Sequence, residues 1–232
     1  MDITFTCCGI SCCGENGSGP DAKISQKEIG SIYDRLAPVY DIWGALTESK
    51  ARKRAIELAG ITDGQNILEV AVGTGLAFYE IVKRNPHGTT TGIDLSRGML
   101  EKARRRLKRL PDASYRLEVG SAFDLEMADQ SIDTLINNYM FDLIPFDEMD
   151  GVLREFKRVV KKGGRLVLVN MTGAEGFGSG IYERIYNLSP RLMGGCRGVK
   201  LANRLEQNGF RVDSREYVQQ MLFPSEVILA YK

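Results

Sequence analysis

The sequence predicts an α/β protein with a doubly wound, mostly parallel sheet of seven strands, an antiparallel hairpin at one sheet edge and helices near the N-terminus. Two observations predict this class. Short apolar segments alternate with helical segments of about ten or more residues, which is typical of βαβ units. Two segments rich in Val, Tyr and Phe then follow each other closely near the C-terminus, as the strands of a hairpin do. The 232 residues, 43% of them hydrophobic, suffice for one core.

Each element has a local signal. Buried strands of a parallel sheet are short, nearly continuous apolar runs, and helices are amphipathic segments that end at glycine or a turn. These criteria predict parallel strands at 66–70, 90–94, 115–119, 132–137 and 165–170, and a hairpin at 210–218 and 221–231. Helices are predicted at 48–59, from a glycine-containing turn to residue 83, and at 98–110 and 147–160.

The chain divides into a tail and one domain. Residues 1–24 are rich in Cys, Gly and Ser without helical or strand periodicity, so we expect a loosely ordered tail. Residues 25–232 form the predicted domain. It begins with a helical cap at 25–60, interrupted near Pro38 because proline removes a backbone donor. The apolar, glycine-rich segment 171–200 is predicted to be a lid over a substrate pocket.

Charge and hydropathy exclude several classes of function. Lys and Arg number 31 and Asp and Glu 30, so the net charge of +1 predicts no general attraction to nucleic acid. No apolar run reaches the roughly 18 residues of a transmembrane helix, and the first residues do not resemble a secretory signal. We therefore expect a cytoplasmic protein, a monomer or homodimer, whose cysteines are thiols.

The segment 67–76 carries the clearest functional signal. A strand runs into a turn with Gly73 and Gly75, and a helix follows. Glycine permits backbone angles closed to other residues and lets a ligand approach the backbone. The next strand ends in Asp94, and the carboxyl ends of these two strands are neighbours at the switch point of a doubly wound sheet. A carboxylate there can accept hydrogen bonds from both hydroxyls of a ribose.

Two kinds of ligand compete for such a turn. A dinucleotide requires the pattern G-x-G-x-x-G, which seats a pyrophosphate on the helix N-terminus. Here Ala71 occupies the first glycine position, the third glycine is absent, and Glu69 would repel a pyrophosphate. A ligand with a ribose, a cationic centre and no phosphate fits better, and S-adenosylmethionine is such a ligand. A tight turn that binds nothing is the remaining alternative.

These segments resemble the class I S-adenosylmethionine-dependent methyltransferases, which have a Rossmann-like fold. The resemblance covers 33–169 and favours the branch with the ubiquinone/menaquinone biosynthesis and phospholipid N-methyltransferases. Residues 33–41 are similar to its Y-D-x-x-A-P-x-Y-D element, 69–75 to motif I and 94–99 to motif II. The family's adenine-contacting Asp is Ser121 here, and its first glycine is Ala71. By this resemblance the cofactor contacts are Tyr40, Glu69, Ala71, Gly73, Thr74, Gly75, Asp94, Leu95, Met99, Ser121, Ala122, Asn137 and Asn138.

Catalysis of methyl transfer depends mainly on aligning the nucleophile with the methyl group, and a general base is needed only for a nucleophile of high pKa. The one histidine, His87, is expected in a surface turn at the sheet edge away from the cofactor. The candidate catalytic residues are Tyr40, Tyr139 and Asp142. Tyr182 and Cys196 are further candidates for the pocket, and packing is the alternative for each tyrosine.

The four clustered cysteines Cys7, Cys8, Cys12 and Cys13 permit three interpretations. They are an unstructured thiol tail, a tail that binds a soft metal or metalloid ion through thiolates, or a segment that covers the active site. The cluster lacks the two separated knuckles of a structural zinc site.

Two basic runs, 50–54 and 104–109, are predicted on helices. Most such runs are solvated helix faces, although a basic helical stripe can also touch anionic lipid. The predicted function is methyl transfer to a small or lipid-like acceptor, such as a quinol or a phospholipid amine. The alternatives are a thiol or metalloid methyltransferase of the arsenite type, and a soft-metal-binding protein that uses the N-terminal cysteines. A nucleotide-dependent oxidoreductase is the rival enzyme class.

Overall fold

A computed structural model describes residues 46–172, 198–221 and 223–232. The strands are β1 Asn66–Val70, β2 Thr89–Asp94, β3 Tyr115–Val119, β4 Ile132–Asn138, β5 Val160–Met171, β6 Arg211–Gln220 and β7 Phe223–Tyr231. The helices are α1 Ser49–Ala59, α2 Leu76–Arg84, α3 Arg97–Leu107, α4 Met149–Val159 and α5 Ala202–Gln207, with a short 3-10 helix at Phe141–Leu143.

The seven strands form one sheet in the order β3-β2-β1-β4-β5-β7-β6. The first five are parallel, and β7 lies antiparallel between β5 and β6. The predicted fold class is therefore confirmed. The order reverses between β1 and β4, so their carboxyl ends meet at the position where doubly wound sheets bind ligands.

Helices cover both faces of the sheet, because successive strand residues point to opposite sides. Ile136 and Val167 pack with residues of α1 and α2 in one buried cluster. Their neighbours Leu135 and Leu166 pack with residues of α4 and α5 in another. Helix α3 joins α2 in a third cluster on the first face. Among the described residues, no helix is long and apolar enough to cross a membrane.

Most element boundaries differ from the sequence prediction by one to three residues, and the larger differences are the start of β5 and two short helices. Strand β5 begins at Val160, not at residue 165, because Val160 pairs with Ile132 before a register shift in β4. Helix α5, which has six residues, and the 3-10 helix were not predicted, since neither is long enough to show a helical period. The tail 1–24, the cap before residue 46 and residues 173–197 of the proposed lid lie outside the described residues, as do Tyr40 and Tyr182.

Candidate functional site

The turn after β1 is built from left-handed backbone. Ala71, Gly73 and Gly75 have φ angles of 61°, 57° and 79°. A Cβ on Gly75 would lie 2.8 Å from the Cβ of Ala103, so glycine lets α2 approach α3 here. No atom of the residues that the structure describes lies within 4 Å of a Cβ placed on Gly73. Gly75 is therefore required for packing, whereas Gly73 faces open space that a ligand can occupy.

Asp94 ties this turn to the next helix. One oxygen of its carboxylate accepts a hydrogen bond of 2.7 Å from the Gly73 N–H, and the other accepts one of 2.8 Å from the Ser96 N–H. The Ser96 hydroxyl caps α3 by accepting the Met99 N–H at 3.0 Å. The half-buried Asp94 therefore lies beside the turn, as the sequence predicts.

Glu69 is a buried carboxyl group with an incomplete set of hydrogen bonds. One oxygen accepts from Nδ2 of Asn138 at 3.1 Å, and the other has no hydrogen-bond partner among the described residues. Burial raises the pKa of Glu69 to about 8, although the Asn138 hydrogen bond and the charge of Arg52 oppose the shift. A cation placed beside Glu69 would favour its ionised form.

Buried acceptor atoms without partners collect at this edge of the sheet. Asn137 is fully buried and donates from Nδ2 to the Val70 carbonyl at 2.8 Å, while its Oδ1 has no partner within residues 46–172, 198–221 and 223–232. Three further buried atoms have no hydrogen-bond partner among the described residues. They are Oδ1 of Asn138, Oγ1 of Thr74 and one oxygen of Glu69. Buried polar atoms are normally paired, so these atoms indicate a place for a ligand that carries hydrogen-bond donors.

The predicted adenine-side residues are arranged around Asp94. Met99 is buried and Leu95 is 43% exposed. The Gly120 N–H donates to the Asp94 carbonyl at 3.2 Å, which places the next two residues near that strand end. The Ser121 hydroxyl accepts the Phe123 N–H at 3.2 Å, and Ala122 is buried. One lone pair of the Ser121 hydroxyl oxygen is therefore used in a hydrogen bond within its own turn.

Neither of the two described catalytic candidates is arranged as a free base. Tyr139 has a left-handed φ of 53°, and its hydroxyl is hydrogen bonded to that of Ser225 at 2.8 Å. Burial, followed by the charge of Glu48, raises the pKa of Tyr139 far above its ordinary value, so the phenol stays protonated. Both oxygens of the fully buried Asp142 accept the Met171 N–H, at 3.0 and 3.1 Å, which joins the 3-10 helix to β5.

Sequence reasoning missed two residues near this site. The charge of Arg52, on α1, lowers the pKa of both Glu69 and Tyr139. Ser225, on β7, holds the Tyr139 hydroxyl. The basic run 50–54 was a signal for Arg52, but a linear sequence does not reveal which face of α1 meets the strand ends.

His87 lies at the opposite end of the sheet, in the turn before β2, as predicted. Its side chain is 84% exposed, and its Nδ1 is 2.6 Å from Oδ2 of Asp63. The expectation of a surface histidine away from the turn after β1 is confirmed.

The metal-binding candidates Cys7, Cys8, Cys12 and Cys13 lie outside the described residues, as does Cys196. Within the described part of the chain, no group of three or more His, Cys, Asp or Glu side chains could hold a metal ion.

Solved structures share this fold at low sequence identity. A crystal structure of the 4+2 cyclase SpnF has a TM-score of 0.75 and 18% identity, with 93% of this chain and 99% of that chain covered. The geranyl diphosphate C-methyltransferase of Streptomyces coelicolor, solved with geranyl diphosphate, Mg²⁺ and S-adenosyl-L-homocysteine, has a TM-score of 0.64 and 15% identity. That comparison covers 79% of each chain.

Sequence comparison identifies curated relatives. The demethylmenaquinone methyltransferase of Tropheryma whipplei (strain Twist) is 32% identical over 163 residues, which are 68% of this chain and 65% of the relative. The demethylmenaquinone methyltransferase of Thermotoga maritima is 34% identical over 151 residues, 63% of each chain. The chain thus spans just under two thirds of the length of these relatives. Residues 67–164, which include the turn, Asp94 and the end of β4, match a family described as a methyltransferase domain. Residues 67–164 are therefore similar to a methyltransferase domain, and the chain shares its fold with these solved structures.

Proposed function

We propose that this protein is an S-adenosylmethionine-dependent methyltransferase. The observation that carries the proposal is the group of buried acceptor atoms beside Asp94, where β1 and β4 end, that have no hydrogen-bond partner in the described part of the chain. The match of residues 67–164 to a methyltransferase domain supports it. Fold likeness alone does not support it, because the protein whose structure has a TM-score of 0.75 is a cyclase.

The chemistry of the site fits this cofactor. Asp94 would accept hydrogen bonds from the ribose hydroxyls, and the space above Gly73 would admit the ligand close to the backbone. Glu69 and the amide oxygens of Asn137 and Asn138 would accept from its ammonium group. When bound, S-adenosylmethionine supplies an electrophilic methyl group on a sulfonium centre.

The chain's own part in the reaction is to position the acceptor and exclude water. Orientation alone can lower a barrier by roughly 7–11 kcal/mol. The Tyr139 phenol, protonated and held by Ser225, would donate or pack beside the acceptor and would not remove a proton from it. The fully buried Asp142 would keep the end of β5 in place through Met171.

We propose a quinone-type small molecule as the acceptor. The names of the curated relatives support this class, and the other lipid-like acceptors expected from the sequence, phospholipid amines, stay alternatives. A cytoplasmic location and a monomeric or homodimeric state stay predictions. No described residue supports the metalloid or soft-metal alternative.

Calorimetric titration of the full chain with S-adenosylmethionine and S-adenosylhomocysteine tests the cofactor. We expect both to bind, and we expect Asp94→Ala to weaken both by at least about 100-fold, or about 2.8 kcal/mol. Asp63→Ala, at the other end of the sheet, is the matched control and should bind as the wild type does. No binding by the wild type would refute the proposal.

The acceptor is tested separately, with methyl-labelled S-adenosylmethionine and mass spectrometry of the products. Demethylmenaquinol with a short prenyl chain and phosphatidylethanolamine are offered in parallel. A labelled quinol alone supports the quinone class. Labelled phosphatidylethanolamine with unlabelled quinol would exclude that class and leave methyl transfer intact.

A further inference from the structure

A cavity of about 480 Å³ opens between α1, α2 and α3, on the outer side of the turn that follows β1. Its lining includes five cationic side chains and one carboxylate. They are Arg52, Lys53, Arg84, Arg106, Arg109 and Glu80. We call this cavity the basic groove.

The fold creates the groove from two basic runs about fifty residues apart in the chain. Arg52 and Lys53 come from the run 50–54, and Arg106 and Arg109 from the run 104–109. The sequence predicts separate, solvated helix faces for these runs. In the structure, Nε of Arg106 donates to the Thr74 carbonyl at 3.0 Å, which fixes the end of α3 beside the start of α2. Packing thus converts two ordinary surface runs into one concave cationic surface.

Charge in the groove is not balanced by the groove's own carboxylate. Glu80 lies 2.7 Å from Arg84, so this pair is close to neutral. Among the described residues, Glu80 is the one carboxylate of the lining, which also contains the cations Arg52, Lys53 and Arg109. Arg54, also on α1, shows the contrast, since Glu216 binds it at 2.7 and 2.8 Å. Like charges clustered in this way repel one another, so an anion bound among them would lower the free energy of the groove.

The groove also has an apolar part. Ile56, Leu76 and Tyr79 line it between the cationic side chains. Guanidinium groups bind phosphate oxygens through paired hydrogen bonds, and the apolar side chains can contact the carbon skeleton that bears the phosphate. A phosphorylated organic molecule matches both parts of the lining better than a carboxylate or a small inorganic anion does.

We propose that the basic groove is a binding site for a phosphate group, carried either by an anionic lipid or by a soluble phosphorylated molecule. The lining of the groove contains none of the residues whose buried acceptors lack partners among the described residues, although it includes Arg52, whose charge also acts on Glu69. It does not depend on the identity of the methyl acceptor.

The test uses the full chain and two probes at physiological salt. Calorimetry measures binding of inorganic pyrophosphate. Sedimentation measures binding to vesicles of phosphatidylglycerol and phosphatidylcholine in equal parts, against phosphatidylcholine alone. The groove variant is Arg52→Gln/Lys53→Gln/Arg109→Gln. The control variant, Arg116→Gln/Arg154→Gln/Lys200→Gln, removes the same charge from exposed positions elsewhere.

We expect the groove variant to lose at least about tenfold in affinity and the control variant to stay within about twofold. Binding of pyrophosphate without vesicles identifies a soluble ligand, and selective binding to anionic vesicles identifies a lipid headgroup. Either result supports the site. Equal losses in both variants, or no binding of either probe by the wild type, would overturn it.

A second measurement needs no variant. Acetylation of lysine amines is followed by mass spectrometry with and without pyrophosphate or anionic vesicles. Lys53 in the groove should be protected at least about fivefold more than Lys50, which is exposed on the same helix outside the lining. Equal protection of the two amines would contradict a site in the groove.

Discussion

Buried polar side chains differ in their hydrogen bonding between the two ends of the parallel sheet. At the amino end, the fully buried Asn85 makes four hydrogen bonds with its side chain. Its Oδ1 accepts from the N–H groups of Gly64 and Gln65 at 2.9 and 3.1 Å. Its Nδ2 donates to the Gln65 carbonyl at 2.9 Å and to Oγ1 of Thr90 at 3.0 Å. This amide is saturated.

At the carboxyl end, buried acceptors lack partners. Eight buried side-chain nitrogen or oxygen atoms have no hydrogen-bond partner among the described residues, and six lie at or just beyond the ends of β1, β4 and β5. These six atoms belong to Glu69, Thr74, Asn137, Asn138, Asn170 and Thr172. Each such atom costs about 1–3 kcal/mol. The amino end therefore stabilises the fold, and the carboxyl end keeps hydrogen-bonding capacity for a ligand.

Substitution of the two glycines in the turn should give the largest effects and should distinguish a loss of stability from a loss of ligand binding. In Gly75→Ala the new Cβ would meet Ala103 at 2.8 Å with φ at 79°, so we expect a loss of about 3 kcal/mol in the free energy of unfolding. In Gly73→Ala the Cβ meets no atom of the described residues within 4 Å, so we expect a cost of about 1 kcal/mol from backbone strain. Urea unfolding measures both. Gly73→Ala should also weaken S-adenosylmethionine binding, and equal losses of stability would contradict the distinction.

Conservative substitution of one carboxylate at each end of the sheet allows the two ends to be compared directly. Asp94→Asn removes the charge that accepts from Gly73 and Ser96, and we expect S-adenosylmethionine affinity to fall about 50-fold, or about 2.3 kcal/mol. Asp63→Asn, which alters the contact with His87, should change that affinity less than about twofold. Calorimetry measures the affinity of both variants for S-adenosylmethionine. A similar loss of affinity in both would show that the lost charge acts nonspecifically.

Two buried threonines form a matched pair for stability. Thr90→Val leaves Nδ2 of Asn85 without one of its acceptors, and we expect a loss of about 2 kcal/mol in the free energy of unfolding. Thr74→Val removes a hydroxyl that has no partner among the described residues, so its effect should be neutral or slightly stabilising. Thermal unfolding of the two variants tests this. A larger loss for Thr74→Val would mean that its hydroxyl is paired in solution.

The buried Glu69 should make stability depend on pH. Its pKa of about 8 in the fold lies above the 4.5 of an unperturbed glutamate, so the folded state binds the extra proton between these values. Stability of the ligand-free protein should therefore fall as pH rises through this range, by up to about 1.4 kcal/mol per unit. In Glu69→Gln this slope should be absent. Urea unfolding at about pH 6 and about pH 7 measures it, and identical slopes would contradict a raised pKa.

The strands show what sequence reasoning can predict. The predicted bounds of β1 and β3 agree with the structure, because each is a short run between turn residues. The start of β5 and helix α5 could not be predicted. Val160 joins the sheet only through its partner Ile132, and α5 is held by the burial of Leu205 in the core. Local periodicity carries no information about such distant partners.

The candidate site, like the fold, could be predicted from the sequence only in part. The sequence placed Asp94 beside the turn at Gly73, since strand order in a doubly wound sheet brings these ends together. It predicted neither the pairing of Tyr139 with Ser225 nor the charge of Arg52 near Glu69, because both depend on α1 and β7 packing from distant parts of the chain.

By itself, the sequence determined the class of fold, the glycine turn and the acid that follows it, because these are properties of local pattern and chain order. The tertiary structure alone decided which buried acceptors lack partners and which cations share a groove. Hydrogen bonding and electrostatics act over a few ångströms, and only packing brings residues 52, 69, 106 and 225 to their places.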